Sequence, residues 1–116
     1  MTTVNTDPAN RIASTPQPPY YAVIFTSVRT GDDRGYRQTA ERMMELASRQ
    51  PGFLGVESAR ETVGITVSYW RDLSSIKAWK ADAHHRTAQE TGRKRWYSEY
   101  RIRICRVTAE YGFTAT

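Results

Sequence analysis

From Tyr20 to Arg29 the chain reads YYAVIFTSVR, apolar at both sets of alternating positions. That pattern predicts a strand covered on both faces. After the loop TGDDRG the period changes. In YRQTAERMMELASRQ, residues Tyr36, Ala40, Met43, Met44 and Ala47 recur at i, i+4, i+7, i+8 and i+11, one face of an amphipathic helix with the two methionines in the core. Asp32 or Asp33 is placed to cap it, and Pro51-Gly52 stops it. Two short strands follow, Phe53 to Arg60 and Gly64 to Trp70, joined by a link short enough for a hairpin. In the second, Ile65, Val67 and Tyr69 share one face and Thr66, Ser68 and Trp70 the other. Asp72, Ser74 and Ser75 offer cap oxygens to a second helix with Ile76, Trp79 and Ala83 on one stripe, continuing, with room for a break, to about Gly92. The last element, YSEYRIRICRVTAEY, is a long strand with Tyr100, Ile102 and Ile104 on one face and Arg101, Arg103, Cys105 and Val107 on the other.

The order is β-α-β-β-α-β, which predicts an α+β, ferredoxin-like fold: a four-stranded antiparallel sheet with both helices on one face. Two helices cannot cover both faces of that sheet. The second face keeps apolar side chains, either Val23 and Phe25 or Ala22 and Ile24, with Ile65 and Val67 or their opposite set. A bare apolar face is relieved by a partner, so a homodimer packed sheet to sheet is expected.

Length and composition narrow the picture. A chain of 116 residues is most simply one domain. Residues 1–19 carry four of the five prolines, with Thr, Asn and Gln, and no apolar period, so they read as a flexible tail before a working domain at 20–113. The tail lacks the apolar region of a signal peptide, and no run reaches the roughly 18 apolar residues of a membrane span. The net charge of +5 is densest from Arg86 to Arg106, but acids are interspersed, which fits a solvated basic face and not a nucleic-acid interface. A single cysteine, Cys105, excludes an intrachain disulfide and fits a reducing cytoplasm.

Several stretches together carry a resemblance. Pro51 to Arg60 (PGFLGVESAR), Gly64 to Trp70 (GITVSYW), Trp79-Lys80 with His85 and Ala88-Gln89, and Trp96-Tyr97 with Tyr100, Arg103 and Ile104 resemble the antibiotic biosynthesis monooxygenase (ABM) family of dimeric α+β barrels. The likeness covers nearly all of residues 20–113. It implies cofactor-independent oxygenation: an electron-rich aromatic or polyketide-like phenol or quinol loses a proton in an apolar pocket, and the resulting anion reduces dioxygen itself. No metal, flavin or other cofactor is then required, in keeping with a sequence that has no cysteine cluster and no Gly-rich phosphate loop. Some relatives degrade haem, using an Asn on the first strand, a Trp on the second helix and a His ten residues further. Here Trp79 matches, but the first strand has no Asn and the tenth position is Gln89, so haem degradation is the less favoured alternative, open only if His85, one turn earlier, meets the haem in a different pose. The alternative from another class is a dimeric, non-enzymatic binding or stress-associated module that holds a small aromatic molecule.

His84 and His85 are neighbours, so on a helix they point about 100° apart. Of the two, His85 is the one that belongs to the resembling pattern, which makes it the candidate acid-base group beside Trp79; a packing role is the competing reading. Trp70 and Trp79 are either core residues or pocket walls for a flat ligand. Tyr69 and Tyr100 can donate to a bound phenolate, yet Tyr is ordinary on strands. Arg103 can meet an anionic substrate or a dimer salt bridge. Glu57 can act as a base or pair with Arg60 or Arg103.

Overall fold

The computed structural model describes residues 11–116. Residues 1–10, the first half of the expected tail, lie outside the described residues. Strands β1 (Tyr20–Arg29), β2 (Phe53–Arg60), β3 (Gly64–Trp70) and β4 (Tyr97–Val107) form one antiparallel sheet in the order β2-β3-β1-β4. Helices α1 (Tyr36–Ser48), α2 (Leu73–Ala81) and α3 (Ala83–Thr91) complete the α+β, ferredoxin-like arrangement expected from the pattern.

The register decides which side chains meet the helices. Val23 stands between Ser68 of β3 and Ile104 of β4, and Phe25 between Thr66 and Ile102. These residues face the helices, as do Val56 and Ser58 of β2, which pair with Ser68 and Thr66. The alternate set faces away: Ala22 beside Tyr69 and Cys105, Ile24 beside Val67 and Arg103. Trp70 is fully buried and anchors the core with Ala47 of α1 and Ile76 of α2, with Val23, Phe53 and Trp79 packed against them.

The helix ends show local chemistry at work. Asp72 caps α2, its Oδ1 accepting from Ser75 N at 2.8 Å and Ser75 Oγ at 2.7 Å. The second helix does break: Asp82 takes an extended conformation (ψ 131°) that ends α2, and it then caps α3 by accepting from the His84 and His85 amides. A π-helical turn, Gly92–Trp96, leads into β4. The expected cap of α1 is not made by Asp32 or Asp33. Gly35 holds the N-cap position in the left-handed region (φ 73°), with no side-chain cap. Asp32 instead pairs with Arg34 and Arg95, and hydrogen bonds from Arg34 hold its carboxyl well below the usual range. The stop after α1 is Gly52 (φ 84°), where an added Cβ would lie 2.1 Å from Ser75 Oγ.

On the outer face, residues 11–19 run as a strap across β2 and β1. The Ala13 amide donates to Glu57 at 2.9 Å, and Thr15 Oγ1 lies 3.0 Å from the Tyr20 hydroxyl and 3.1 Å from the Glu110 carboxylate. A Cβ at Gly55 would come within 2.8 Å of the Ala13 Cβ, so the strap sits directly on that glycine. The strap lies at the Tyr20 end of the face, where Tyr20 and Ala22 are buried. No helix among the described residues is long and apolar enough to cross a membrane.

Candidate functional site

Between the sheet and the helices lies a cavity of about 440 Å³. Its floor is the helix-facing set of the strands, and its roof is the apolar stripe of α1 with α2 and α3. Ala40, Met43 and Met44 follow the helical period as expected, but they border open space instead of closing a core: Ala40 is exposed and both methionines are half-buried. The cause is visible in the sheet. Its helix-facing positions at Ser58, Thr66 and Ser68 carry short polar side chains that cannot fill the gap below α1.

One wall is a ladder of rings. Phe53 and Trp70 have centroids 5.4 Å apart, Trp70 stacks on Trp79 at 6.5 Å, and Trp79 stacks on the His85 imidazole at 4.5 Å with planes 7° apart. The Asp82 break makes that last contact possible, because it turns the chain so that His85 folds back over Trp79. His85 Nδ1 lies 3.0 Å from the Trp79 carbonyl. A carbonyl only accepts, so Nδ1 carries the proton, and in the neutral ring Nε2 keeps its lone pair. Burial lowers the pKa of His85, against the opposing pull of the Trp79 carbonyl and Asp82, which favours that neutral form. His84 is exposed and does not line this cavity.

The floor is polar in rows. Ser58 Oγ and Thr66 Oγ1 are 2.8 Å apart, and Ser68 Oγ accepts from Trp70 Nε1 at 2.9 Å. At one end Tyr97 donates to the Tyr36 hydroxyl at 3.3 Å; burial, then that bond, raises the Tyr97 pKa well above the ordinary phenol value. The Arg29 guanidinium covers the Tyr36 ring, 3.3 Å from its centroid. Arg60 reaches Ser27, donating to its carbonyl at 3.2 Å and to its hydroxyl. Among the described residues, no group of three or more His, Cys, Asp or Glu is placed to hold a metal ion.

Of the residues singled out from the sequence, His85, Trp79 and Trp70 line the cavity together. Glu57, Tyr69 and Arg103 do not, because strand alternation and the antiparallel register put all three on the outer face. Glu57 pairs there with neither Arg60 nor Arg103; it accepts from the Tyr69 hydroxyl at 2.5 Å and from the Ala13 amide. Burial, then the Glu57 contact, holds the Tyr69 phenol protonated. Tyr100 lies on the helix side of β4 but at its margin, where it packs on Phe25 and Tyr97 and accepts from Arg93. Sequence reasoning missed Ser58, Thr66, Arg60, Tyr36 and Tyr97. The available signal was a hairpin whose helix-facing positions carry Ser, Thr and Arg where a closed core needs apolar residues.

Three comparisons bear on this arrangement. The family profile described as antibiotic biosynthesis monooxygenase matches residues 19–91. The uncharacterized protein YqjZ of Bacillus subtilis is 53% identical over 98 residues, covering 83% of this chain and 86% of its own. Among solved structures, SnoaB, a cofactor-independent oxygenase from Streptomyces nogalater, superposes with a TM-score of 0.65 at 15% identity, over 84% of this chain and 100% of its own. A Nitrosomonas europaea structure of a "putative antibiotic biosynthesis monooxygenase" superposes at 0.66 and 18% identity, over 81% of this chain and 94% of its own. At such identities the structural likeness speaks for the fold.

Proposed function

Because this chain belongs to the antibiotic biosynthesis monooxygenase family, we propose that it is a cofactor-independent monooxygenase acting on an aromatic, polyketide-like phenol or quinol. The observation that carries the reading is the ring wall: a neutral imidazole, proton on Nδ1 and lone pair on Nε2, stacked on Trp79 at the edge of an open, largely apolar cavity. Family kinship contributes the reaction class, and the fold shared with SnoaB is consistent with it.

In this reading the substrate ring lies against Trp79 and Trp70. His85 Nε2 takes the activated proton. The anion passes one electron to dioxygen, and the radical pair recombines to form a carbon–oxygen bond. His85 takes the remaining proton from that carbon as the oxygen–oxygen bond breaks. One oxygen stays as the new carbonyl; the other leaves as water with the two protons that His85 has handled. Dioxygen is the oxidant and the substrate the only reductant, so no metal, flavin or haem takes part. The working unit is residues 20–113, acting in the cytoplasm as a homodimer with a small aromatic molecule as its ligand.

Oxygen uptake tests the proposal. Purified protein is mixed with a panel of quinols and anthrones, with and without a chelator. One member should consume oxygen in equimolar ratio to quinone formed, at a rate the chelator leaves unchanged. Uptake by no member of the panel, or uptake that the chelator abolishes, would overturn it.

A further inference from the structure

The charge around the cavity is one-sided. Among the described residues that line it, Arg60 and Lys80 are cationic and none carries a carboxylate. Other arginines of the chain are paired with carboxylates: Arg29 with Asp33, Arg34 and Arg95 with Asp32, and Arg42 and Arg49 with Glu45. Arg60 is held differently. Among the described residues its two hydrogen bonds go to Ser27, one to the carbonyl and one to the hydroxyl, and both partners are neutral. A guanidinium has five N–H donors in a planar fork, so donors remain for a ligand.

The position of that fork is built into the hairpin. Ser27 is buried (2% exposed), which fixes the inner end. Gly64, opposite Arg60 in the β2–β3 pairing, leaves the space the guanidinium fills: a Cβ there would lie 2.1 Å from Arg60 Cζ. The Tyr97 phenol lies close enough for the Arg60 charge to act on it. A cation steered across a glycine into the end of an apolar cavity, with only neutral acceptors, is complementary to an anionic group on a ligand.

We propose that the cavity binds planar aromatic molecules that bear an anionic group, with the anion on Arg60, the rings along Trp79 and Trp70, and Gly64 as the positioning residue for the guanidinium. This deepens the reading of the preceding section, because it assigns the substrate class of the same cavity. It does not depend on catalysis.

Two fluorescent probes of one skeleton separate charge from shape: 1-anilinonaphthalene-8-sulfonate, and N-phenyl-1-naphthylamine, which lacks the sulfonate. Each is titrated into the full chain in the absence of any quinol. Arg60→Gln should weaken the anionic probe about 10-fold, as loss of a partly hydrated charge-assisted bond does, and change the neutral probe less than about 2-fold by the same reasoning. Arg60→Lys should recover part of the loss. Gly64→Ala should reproduce the Arg60→Gln pattern, because its methyl group takes the place of a flexible side-chain end and leaves the backbone fold intact. Ala40→Trp, which fills the cavity from α1, should abolish both. Equal losses of the two probes in Arg60→Gln, unchanged binding of both, or anionic binding that survives Ala40→Trp would each overturn the proposal. The two readings fail separately. Loss of the anionic probe in Arg60→Gln, with no oxygen uptake on any quinol, removes the oxygenase and keeps the anion site; oxygen uptake with unaltered probe binding in Arg60→Gln does the reverse.

Discussion

His85 concentrates the chemistry in one ring. Its Nδ1 is committed to the Trp79 carbonyl and its face to the Trp79 indole, so its free lone pair is Nε2. Replacing it should therefore remove proton transfer and leave binding by the tryptophans. His85→Ala should lower turnover of a responsive quinol by about 10²-fold or more with little change in KM. Turnover equal to that of the unaltered chain would take His85 out of the mechanism. The pH dependence has a definite sign. Burial depresses the His85 pKa below its ordinary 6.5, so the neutral base persists down to that pH and the acid limb of kcat/KM falls below it. The same shift is a stability statement. Above the unfolded value of 6.5 both states are neutral; below it the unfolded chain takes the proton first, so stability is lost as pH falls through the folded pKa. Urea midpoints at pH 7.5 and 5.5 should differ more for the native chain than for His85→Asn. An acid limb above pH 6.5 would show that another group titrates in the reaction.

At the level of elements, the break at Asp82 is what makes His85 useful. A continuous helix would carry the ring past Trp79; the extended Asp82 turns α3 back, and its carboxylate then caps the new helix. Asp82→Ala should cost about 1 kcal/mol of stability, as the loss of an N-cap does, and should slow turnover by loosening His85. Asp82→Asn keeps the cap oxygen and should recover both, read by thermal melting alongside oxygen uptake. Equal activity in Asp82→Ala would mean that Trp79 stacking alone holds the ring. The sequence made the elements legible because their signals are local: the periods of β1 and α1, the Asp72 cap and the Pro51-Gly52 stop all sit within one turn of the residues they govern. The site was less legible because it depends on register. Glu57 and Tyr69 looked like pocket groups, yet pairing that sets Gly55 opposite Tyr69 and Val56 opposite Ser68 turns both outward. His85, Trp79 and Trp70 were legible through one strand-to-helix unit, whereas Arg60 and Ser58 needed the cavity above them to be seen as open.

For the whole molecule the incompletely covered surface is the outer face of the sheet. The strap of residues 11–19 lies over its Tyr20 end, where Tyr20 and Ala22 are buried. Beyond it, Ile24 and Val67 are only half-buried and Ile65 is 46% exposed. The segment after β4 carries Tyr111 and Phe113, both exposed among the described residues. Apolar area of this kind stabilises by about 25 cal/mol per Å² when removed from water, and a stable two-fold interface needs about 800 Å² from each partner. A second copy, supplying the same uncovered strip, is the simplest partner for such a face. Sedimentation equilibrium at micromolar concentration should therefore give close to twice the 13.3 kDa chain mass. Ile65→Arg should shift the distribution toward the single chain, because it puts a charge into the apolar strip that association would bury, while lying on the face opposite the cavity. The variant should keep its affinity for an aromatic probe, so that loss of association and loss of the pocket are read apart. A native chain that sediments as a monomer would mean that the strap and the half-buried strip suffice to shield the sheet, and that each cavity works alone.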